Sequence, residues 1–307
     1  MKSGKSGKAR NLDRKQAEAL SYYEHALEKT RGIILRKRML LDEFLDQMKY
    51  VGFQATHVSK ARELILRMKK EKSTIVLTFT SNMASSGLRE LFAQAVREKK
   101  VDIIITSVGA VEEDVMKSMN QFLLGDFDMD DVELHNRGIN RIGNILVPNR
   151  DYEELEDVVT PFFEKLYKKQ LQTGRMISPS ELIFELGKEI KDKNSILYWA
   201  TKNNIPIYCP GITDGALGLQ LYFFKYKRPD FGIDVTADMK KLAEQILNSE
   251  KTGGIILGGG IAKHHAIGVN ILREGFDYAV YVTTASEYDG SLSGARPKEA
   301  KSWSKIR

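Results

Sequence analysis

Short runs of β-branched and other apolar residues recur along this chain. Each run leads into a polar loop and then, in most cases, an amphipathic helical segment. The clearest runs are STIVLTFT (73–80), VDIIITS (101–107) and GGIILGGG (253–260). Apolar runs of this length are typical of strands buried on both faces. Their alternation with helical segments indicates βαβ units and predicts an α/β fold.

Three further runs extend the pattern: PIYCP (206–210), FGIDV (231–235) and DYAVYVTTA (277–285). We expect each to add a strand to the same sheet. Residues 151–203 lie between the two groups of strands and have mostly helical spacing. The sequence therefore predicts a doubly wound, mostly parallel sheet.

The chain divides into three predicted regions. Residues 1–14 are a Gly/Ser/Lys-rich basic tail that we expect to be disordered, and the first 15 residues carry +5 of the net charge of +6. Residues 15–71 show helical spacing and form a predicted N-terminal helical extension. Residues 72–307 are predicted to be a single α/β domain. A solubilising tail is favoured over an arm that binds an acidic partner or nucleic acid, and the domain has no basic stripe interleaved with aromatic residues to support nucleic-acid binding.

The composition narrows the class of protein. Cys209 is the single cysteine, which excludes an intrachain disulfide framework and fits a reducing, cytoplasmic location. No apolar run reaches the roughly 20 residues that a membrane-spanning helix needs. No metal site is expected, because HExxH and paired cysteines are both absent.

Gly, Ser, Thr, Asp, Glu and His concentrate in the segments that follow the predicted strands. In a doubly wound sheet, ligands bind outside the carboxyl ends of the strands. We therefore predict a cofactor or substrate cleft built from five segments: Ser81–Gly87, Ser107–Asp114, Thr213–Gly218, Gly258–His265 and Thr283–Gly294.

Three local motifs are ambiguous by themselves. GGGIAKHH (258–265) allows close approach of the backbone to a ligand, yet Lys263 stands where G-x-G-x-x-G needs glycine, so a tight turn is an equal alternative. His264 and His265 point about 100° apart on a helix, so one can face the cleft and the other the core.

VEED (111–114) is expected to open a helix, either complementing its dipole or holding a cationic substrate. Composition alone would assign Lys305 to a solvated basic terminus.

Taken together and in order, six long segments resemble the deoxyhypusine synthase family. They are spread over residues 80–307, more than half of the chain: TSNMASSGLRE (80–90), NRIGNILVPN (140–149), NNIPIYCPGITDGALG (203–218), TGGIILGGGIAKHH (252–265), DYAVYVTTASEYDGSLSGARP (277–297) and EAKSWSKIR (299–307). VEED lies between the first two in the expected position.

The resemblance implies an NAD-dependent enzyme with a Rossmann-like fold. Such an enzyme oxidises spermidine, captures the aminobutyl group on its own lysine as an imine, and passes it to a lysine of translation initiation factor 5A. The family's S-W-G-K-I maps onto 302–306, which assigns the nucleophile to Lys305 and replaces the glycine by Ser304. A neutral lysine amine suits imine chemistry. His264, the first histidine of K-H-H, is the implied base.

The remaining contacts carry over position by position. The implied NAD contacts are Ser81, Asn82, Met83, Ala84, Ser85, Ser107, Val108, Gly109, Glu113, Asp214, Gly259, Thr284 and Ala285. The implied amine contacts are Glu112, Glu113, His264, Gly290, Ser291, Glu299 and Trp303.

The sequence also departs from the family pattern. Leu219 and Leu292 stand where the family has carboxylates that contact the polyamine, and Ser107-Val108-Gly109 replaces T-A-G. Losing two charge-assisted contacts would cost about 1.5–3 kcal/mol each. Two alternatives therefore stay open: a relative with altered amine specificity, such as a homospermidine synthase or an agmatine-using enzyme, and a non-catalytic subunit paired with an active paralogue.

The resemblance further implies a homotetramer with sites at dimer interfaces. The N-terminal segment is similar to one that plugs a neighbouring subunit's active-site entrance, and the family continues with another strand beyond the position of Arg307. No nucleic-acid or membrane partner is expected.

Overall fold

The computed structural model of this chain describes residues 14–23 and 26–307. Contacts between Cα atoms divide the chain into two compact units, Met1–Leu66 and Arg67–Arg307. Of the predicted basic tail, only residue 14 lies within the described residues. The three-region division made from the sequence stays a prediction.

The first unit is helical around a polar segment. It contains α1 (residues 14–23), α2 (Leu41–Met48) and most of α3 (Phe53–Lys70). The guanidinium of Arg62 bridges α3 to α2, lying 2.7 Å from Asp42 and 2.9 Å from Asp46. Residues 34–40, predicted helical, are not, and Arg38 adopts a left-handed φ of 62° there.

The second unit is built on a parallel five-stranded sheet in the order β6-β2-β1-β7-β8. Its strands are β1 (Thr74–Phe79), β2 (Ile103–Thr106), β6 (Ile207–Tyr208), β7 (Thr252–Leu257) and β8 (Tyr278–Val282). Every neighbouring pair is parallel. β1, β2 and β6 are buried almost throughout, as their apolar sequences predict.

The strand order reverses at the boundary between β1 and β7. From β1 the chain proceeds outward through β2 to β6 on one side, then returns to add β7 and β8 on the other. This is the doubly wound arrangement predicted from the alternation of strands and helices. The crevice at the carboxyl ends of β1 and β7 is where such sheets bind ligands.

Helices connect and cover the strands. Those used below are α4 (Ser81–Ser85), α5 (Leu88–Arg97), α6 (Val108–Lys117), α7 (Asp131–Asn136), α8 (Asn149–Thr173), α9 (Pro179–Glu189), α10 (Ile196–Asn203), α11 (Ala216–Lys227), α12 (Val235–Leu247), α13 (Gly260–Val269) and α14 (Pro297–Ser302). A 3₁₀ turn, Asn270–Arg273, follows α13.

Two features differ from the sequence-based expectations. A small antiparallel sheet, β3 (Leu123–Leu124), β5 (Ile145–Pro148) and β4 (Ile139–Ile142), lies in a region for which we predicted no strands. FGIDV is not a strand, and only Ile233 makes a single parallel bridge, to Ile177. The reason is Asp234, whose carboxylate accepts hydrogen bonds from the N–H groups of Thr236 and Ala237 and so starts α12.

Candidate active site

In the crevice between β1 and β7, the segments that follow the two strands approach each other closely. Thr80 follows β1, and Gly258 follows β7 with φ +77°. A Cβ on Gly258 would lie 3.0 Å from both Thr80 Cγ2 and Thr80 Oγ1, and 3.5 Å from Met83 Cε. Thr80 Oγ1 donates to Asn82 Oδ1 at 2.5 Å. The two predicted loops therefore meet where the strand order reverses.

Helices α4 and α6 pack against each other beside this crevice. A Cβ on Gly109 would lie 2.8 Å from Ser81 Cβ, so glycine is needed for the helices to come this close. Ser85 Oγ donates to Glu113 Oε2 at 2.6 Å in a buried contact. The segments after β1 and β2, predicted separately from the sequence, thus form one surface.

Glu112 and Glu113 are both only 7% exposed. Burial raises the pKa of Glu113 to about 7, against the opposing effect of the Ser85 hydroxyl. Burial also raises the pKa of Glu112, with a smaller contribution from the charge of Asp214. A buried carboxyl that titrates near neutrality can exchange a proton at a reaction centre, a property typical of active sites.

The prediction that VEED opens a helix is wrong. α6 begins at Val108, because Ser107 is its N-cap, so Glu112 and Glu113 lie in its second turn. Glu112 instead binds the start of α11: Glu112 Oε2 accepts the N–H of Leu217 at 2.7 Å, and a Cβ on Gly215 would lie 2.8 Å from Glu112 Oε1.

The fourth residue of VEED points away from the crevice. Asp114 is fully buried and pairs with Arg89 Nε at 2.6 Å. It also accepts hydrogen bonds from Ser195 Oγ and from the N–H groups at the start of α10, those of Ile196 and Leu197. This carboxylate therefore holds helices α5, α6 and α10 together.

Two buried lysines at the site were not predicted to have a role there. Lys117 Nζ donates to the carbonyl oxygens that end α4, at Ala84, Ser85 and Ser86, over 2.7–3.2 Å. Lys263 Nζ donates to three carbonyls of the loop after β8 and lies 4.4 Å from the Tyr281 ring centre. Burial lowers the pKa of both lysines. Only Lys263 had a signal in the sequence, because the helical stretch around it is mostly apolar.

The loop after β8 folds back onto the start of α13. Ser293 Oγ accepts the N–H of Gly260 at 3.0 Å, and a Cβ on Gly259 would lie 2.3 Å from that oxygen, so Gly259 and Ser293 are in direct contact. Leu292 packs against the core beneath the loop. Four predicted contacts lie exposed on the same loop: Thr284, Ala285, Gly290 and Ser291.

The two histidines differ in exposure. His264 is exposed, whereas His265 is half-buried and burial lowers its pKa. The other departure from the family pattern, Leu219, is 52% exposed on α11, and Asp214 is exposed just before that helix.

Lys305 is held by the end of α14. The N–H of Lys305 donates to the Ala300 carbonyl at 2.9 Å, and that of Ser304 donates to the Lys301 carbonyl at 3.1 Å. With Ser304 at φ +54°, this is a Schellman motif whose left-handed position usually carries glycine. The substitution of glycine by serine, noted from the sequence, thus falls at a strained residue.

The side chain of Lys305 is half-buried, with Nζ 5.2 Å from the Trp303 ring centre. Glu299, within α14, and Trp303, at the end of that helix, are both exposed. The Lys305 carbonyl accepts the N–H of Phe276 at 3.1 Å, ahead of β8 and next to the parallel Phe276–Ile306 bridge. It therefore lies toward the amino end of β8, whereas the crevice lies at the carboxyl ends of the strands.

Comparison with known proteins identifies the family of this chain. The sequence model described as deoxyhypusine synthase matches residues 43–307, most of the chain. The chain belongs to the deoxyhypusine synthase family. The resemblance inferred from six ordered segments is thereby confirmed.

Individual relatives agree with this assignment. The "Probable deoxyhypusine synthase" of Methanocaldococcus jannaschii is 49% identical over 270 residues, 83% of this chain and 82% of the relative. The deoxyhypusine synthase of Senecio vernalis is 40% identical over 319 residues, 95% of this chain and 85% of the relative. A crystal structure assigned as a deoxyhypusine synthase from Entamoeba histolytica has a TM-score of 0.63 and 26% identity, covering 90% of this chain and 96% of that one.

These comparisons confirm the α/β fold with a mostly parallel sheet and place the chain among aminobutyl-transferring enzymes. Among the residues that the structure describes, no group of three or more His, Cys, Asp or Glu could hold a metal ion. Within the same residues, no helix is long and apolar enough to cross a membrane.

Proposed function

We propose that this chain is a deoxyhypusine synthase in the full sense: it uses NAD to transfer the aminobutyl group of spermidine to a lysine of translation initiation factor 5A. The observation that carries the proposal is the crevice of a deoxyhypusine synthase-family sheet, in which a buried Glu113 with a pKa of about 7 faces the segment after β1. We further propose a cytoplasmic location.

The residues at the crevice fit a dinucleotide. A Cβ on Gly109 or Gly258 would meet Ser81 or Thr80, so neither position carries a side chain, and Gly260, at φ +63°, has open space around it. Backbone that is bare of side chains can approach a pyrophosphate closely. The exposed carboxylate of Asp214 suits a ribose hydroxyl. When bound, NAD supplies hydride acceptance from the amine and hydride return to the product.

The remaining steps are assigned to residues of the chain itself. Glu112 and Glu113 form a buried acidic wall suited to an ammonium group, and Glu113 can take up a proton near neutral pH. Exposed His264 accepts the proton that the amine loses with its hydride. Lys305 attacks the resulting imine carbon, diaminopropane leaves, and the enzyme-bound imine is passed to the acceptor lysine.

The position of Lys305 favours a site formed between subunits. Its main chain lies toward the amino end of β8, whereas Glu113 lies at the carboxyl end of the sheet. A second copy of the chain can supply one group to the other. The exposed apolar face of α11 suits such an interface, with Leu219, Tyr222, Phe223 and Tyr226 each at least half exposed. We propose the homotetramer implied by the resemblance.

Borohydride trapping tests the role of Lys305. Incubation with NAD and labelled spermidine, followed by reduction, is expected to label the wild-type chain and not Lys305→Ala. The matched control is Lys301→Ala, which removes an exposed lysine from α14, the helix that precedes Lys305. Calorimetric titration is expected to show unchanged NAD affinity in both variants. Label that persists in Lys305→Ala would remove this residue from its role.

A panel of amines tests the substrate. Spermidine, putrescine and agmatine are supplied with NAD, and NADH formation is followed by absorbance. Leu219 and Leu292 keep an altered amine specificity as the second candidate, since neither offers a charge to an ammonium group. A clear preference for spermidine supports the leading proposal. A preference for another amine would replace it with the second candidate, an altered amine specificity.

A further inference from the structure

A second cavity, of about 320 Å³, opens at the end of the sheet opposite to the crevice. Its wall includes Ile205, Pro206 and Ile207, which form the amino end of β6. Because β6 is parallel to the other strands of its sheet, its amino end lies away from the loops that follow β1 and β7. Helices α8, α9, α10 and α12 and the segment between α8 and α9 supply most of the rest of the wall.

The floor of this cavity is apolar. Leu166, Ile183, Leu197 and Ala200 all line it and are each at most 4% exposed. The size lies at the lower end of the range of natural small-molecule sites. A compact apolar group of a ligand would therefore be well covered here.

The mouth of the cavity is charged. Lys169 and Glu185 pair at 3.4 Å, and Arg175 and Glu181 pair at 3.1 Å. Both pairs are at the surface, and within each pair the opposite charges offset one another. Glu185 also pairs with Lys188, outside the lining, at 2.9 Å.

Lys241 is the remaining cation of the lining. Its Nζ donates to Ser180 Oγ at 3.4 Å, and in the described part of the chain it forms no ion pair. Asp238, one turn earlier on α12, is turned toward α9: its oxygens accept the N–H and hydroxyl of Ser180 at 2.7 and 2.6 Å. The lining holds three cations and two carboxylates, and Lys241 is the lining cation whose ammonium group has no direct carboxylate partner in the described part of the chain. The Asp238 carboxylate, outside the lining, reaches Lys241 only through the Ser180 hydroxyl.

We propose that this cavity is a binding site for a small organic monoanion, with its apolar body on the floor and its acidic group at Lys241. A charge-assisted hydrogen bond to the ammonium group would fix the ligand's orientation. The proposal is independent of the amine-transfer reaction, since the cavity shares no residue with the crevice.

Titration with 8-anilinonaphthalene-1-sulfonate tests the proposal, with fluorescence as the readout. We expect saturable binding of one dye per chain. Lys241→Gln is expected to weaken it at least tenfold, and Lys241→Arg to retain it. The matched control is Lys240→Gln, the adjacent lysine, which is 80% exposed at its side chain and is expected to bind as the wild type.

Two further arms use the wild-type chain and so do not depend on how a variant folds. The neutral analogue 1-anilinonaphthalene is expected to bind at least tenfold more weakly than the sulfonate. Saturating NAD is expected to leave the dye in place. Displacement by NAD, equal binding of the neutral analogue, or equal losses in Lys241→Gln and Lys240→Gln would each overturn the proposal.

Discussion

The pair Arg89–Asp114 provides the sharpest test of how this fold is held together. Arg89 is completely buried, and its guanidinium reaches Asp114, Asp192 and Ser118 at 2.6, 2.9 and 2.8 Å. Replacing Arg89 by methionine keeps the volume but leaves the Asp114 carboxylate buried without its cation. Removing one partner of a buried pair costs about 3–5 kcal/mol.

The control lies on the same helix. Arg97 is half exposed and pairs loosely with Glu98 at 3.8 Å, so Arg97→Met should cost less than about 1 kcal/mol. Both variants are melted at equal protomer concentration. Since about 1 kcal/mol corresponds to roughly 2–4 °C in a domain of this size, Arg89→Met should melt roughly 6–20 °C below the wild type.

A second substitution makes the reasoning refutable. Asp114→Asn added to Arg89→Met removes the stranded charge, so the double variant should be less destabilised than the two single losses together. Two results would refute the reasoning. One is that Arg89→Met melts at the same temperature as Arg97→Met, and the other is that the stability losses of Arg89→Met and Asp114→Asn simply add in the double variant.

Three further outcomes follow from single positions. Ser304→Gly should stabilise the chain by about 0.5–1 kcal/mol, read as a higher Tm, because it relieves a left-handed serine at φ +54°. The folded-state pKa of Glu113, about 7, lies above its unfolded value, so this group's penalty is absent at low pH and grows as pH rises from about 4.5 to 7. The Tm advantage of Glu113→Gln over the wild type should therefore widen across that window, and a constant difference would contradict the assignment. Gly109→Ala should weaken NAD binding in calorimetry, since its Cβ would meet Ser81 Cβ at 2.8 Å, whereas Gly87→Ala, with open space around it, should not.

Much of the fold was predictable from local pattern. Five of the six predicted strands of the parallel sheet exist, because a β-branched apolar run between polar segments has few other stable conformations. FGIDV failed because its aspartate caps the next helix, a competition that an apolar pattern does not reveal. The antiparallel strands β3, β4 and β5 were missed because their short, partly exposed segments lack a strong alternation.

The candidate site was predictable in its parts and not in its assembly. The rule that polar loops follow strand ends located Ser85 and Glu113, but their 2.6 Å contact depends on how α4 packs on α6. Lys117 and Lys263 had no visible role in the sequence, because their partners are carbonyl oxygens, which every residue carries.

The sequence by itself determined the class of fold and the family, and it supplied the candidate residues for the chemistry. Those depend on local composition and on ordered motifs, which a linear chain contains completely. Only the tertiary structure decided that burial raises the pKa of Glu113, that Glu112 binds the start of α11, and that Lys305 lies toward the far end of β8 from the crevice. Each of these depends on distances between residues remote in sequence, and such distances are set by packing.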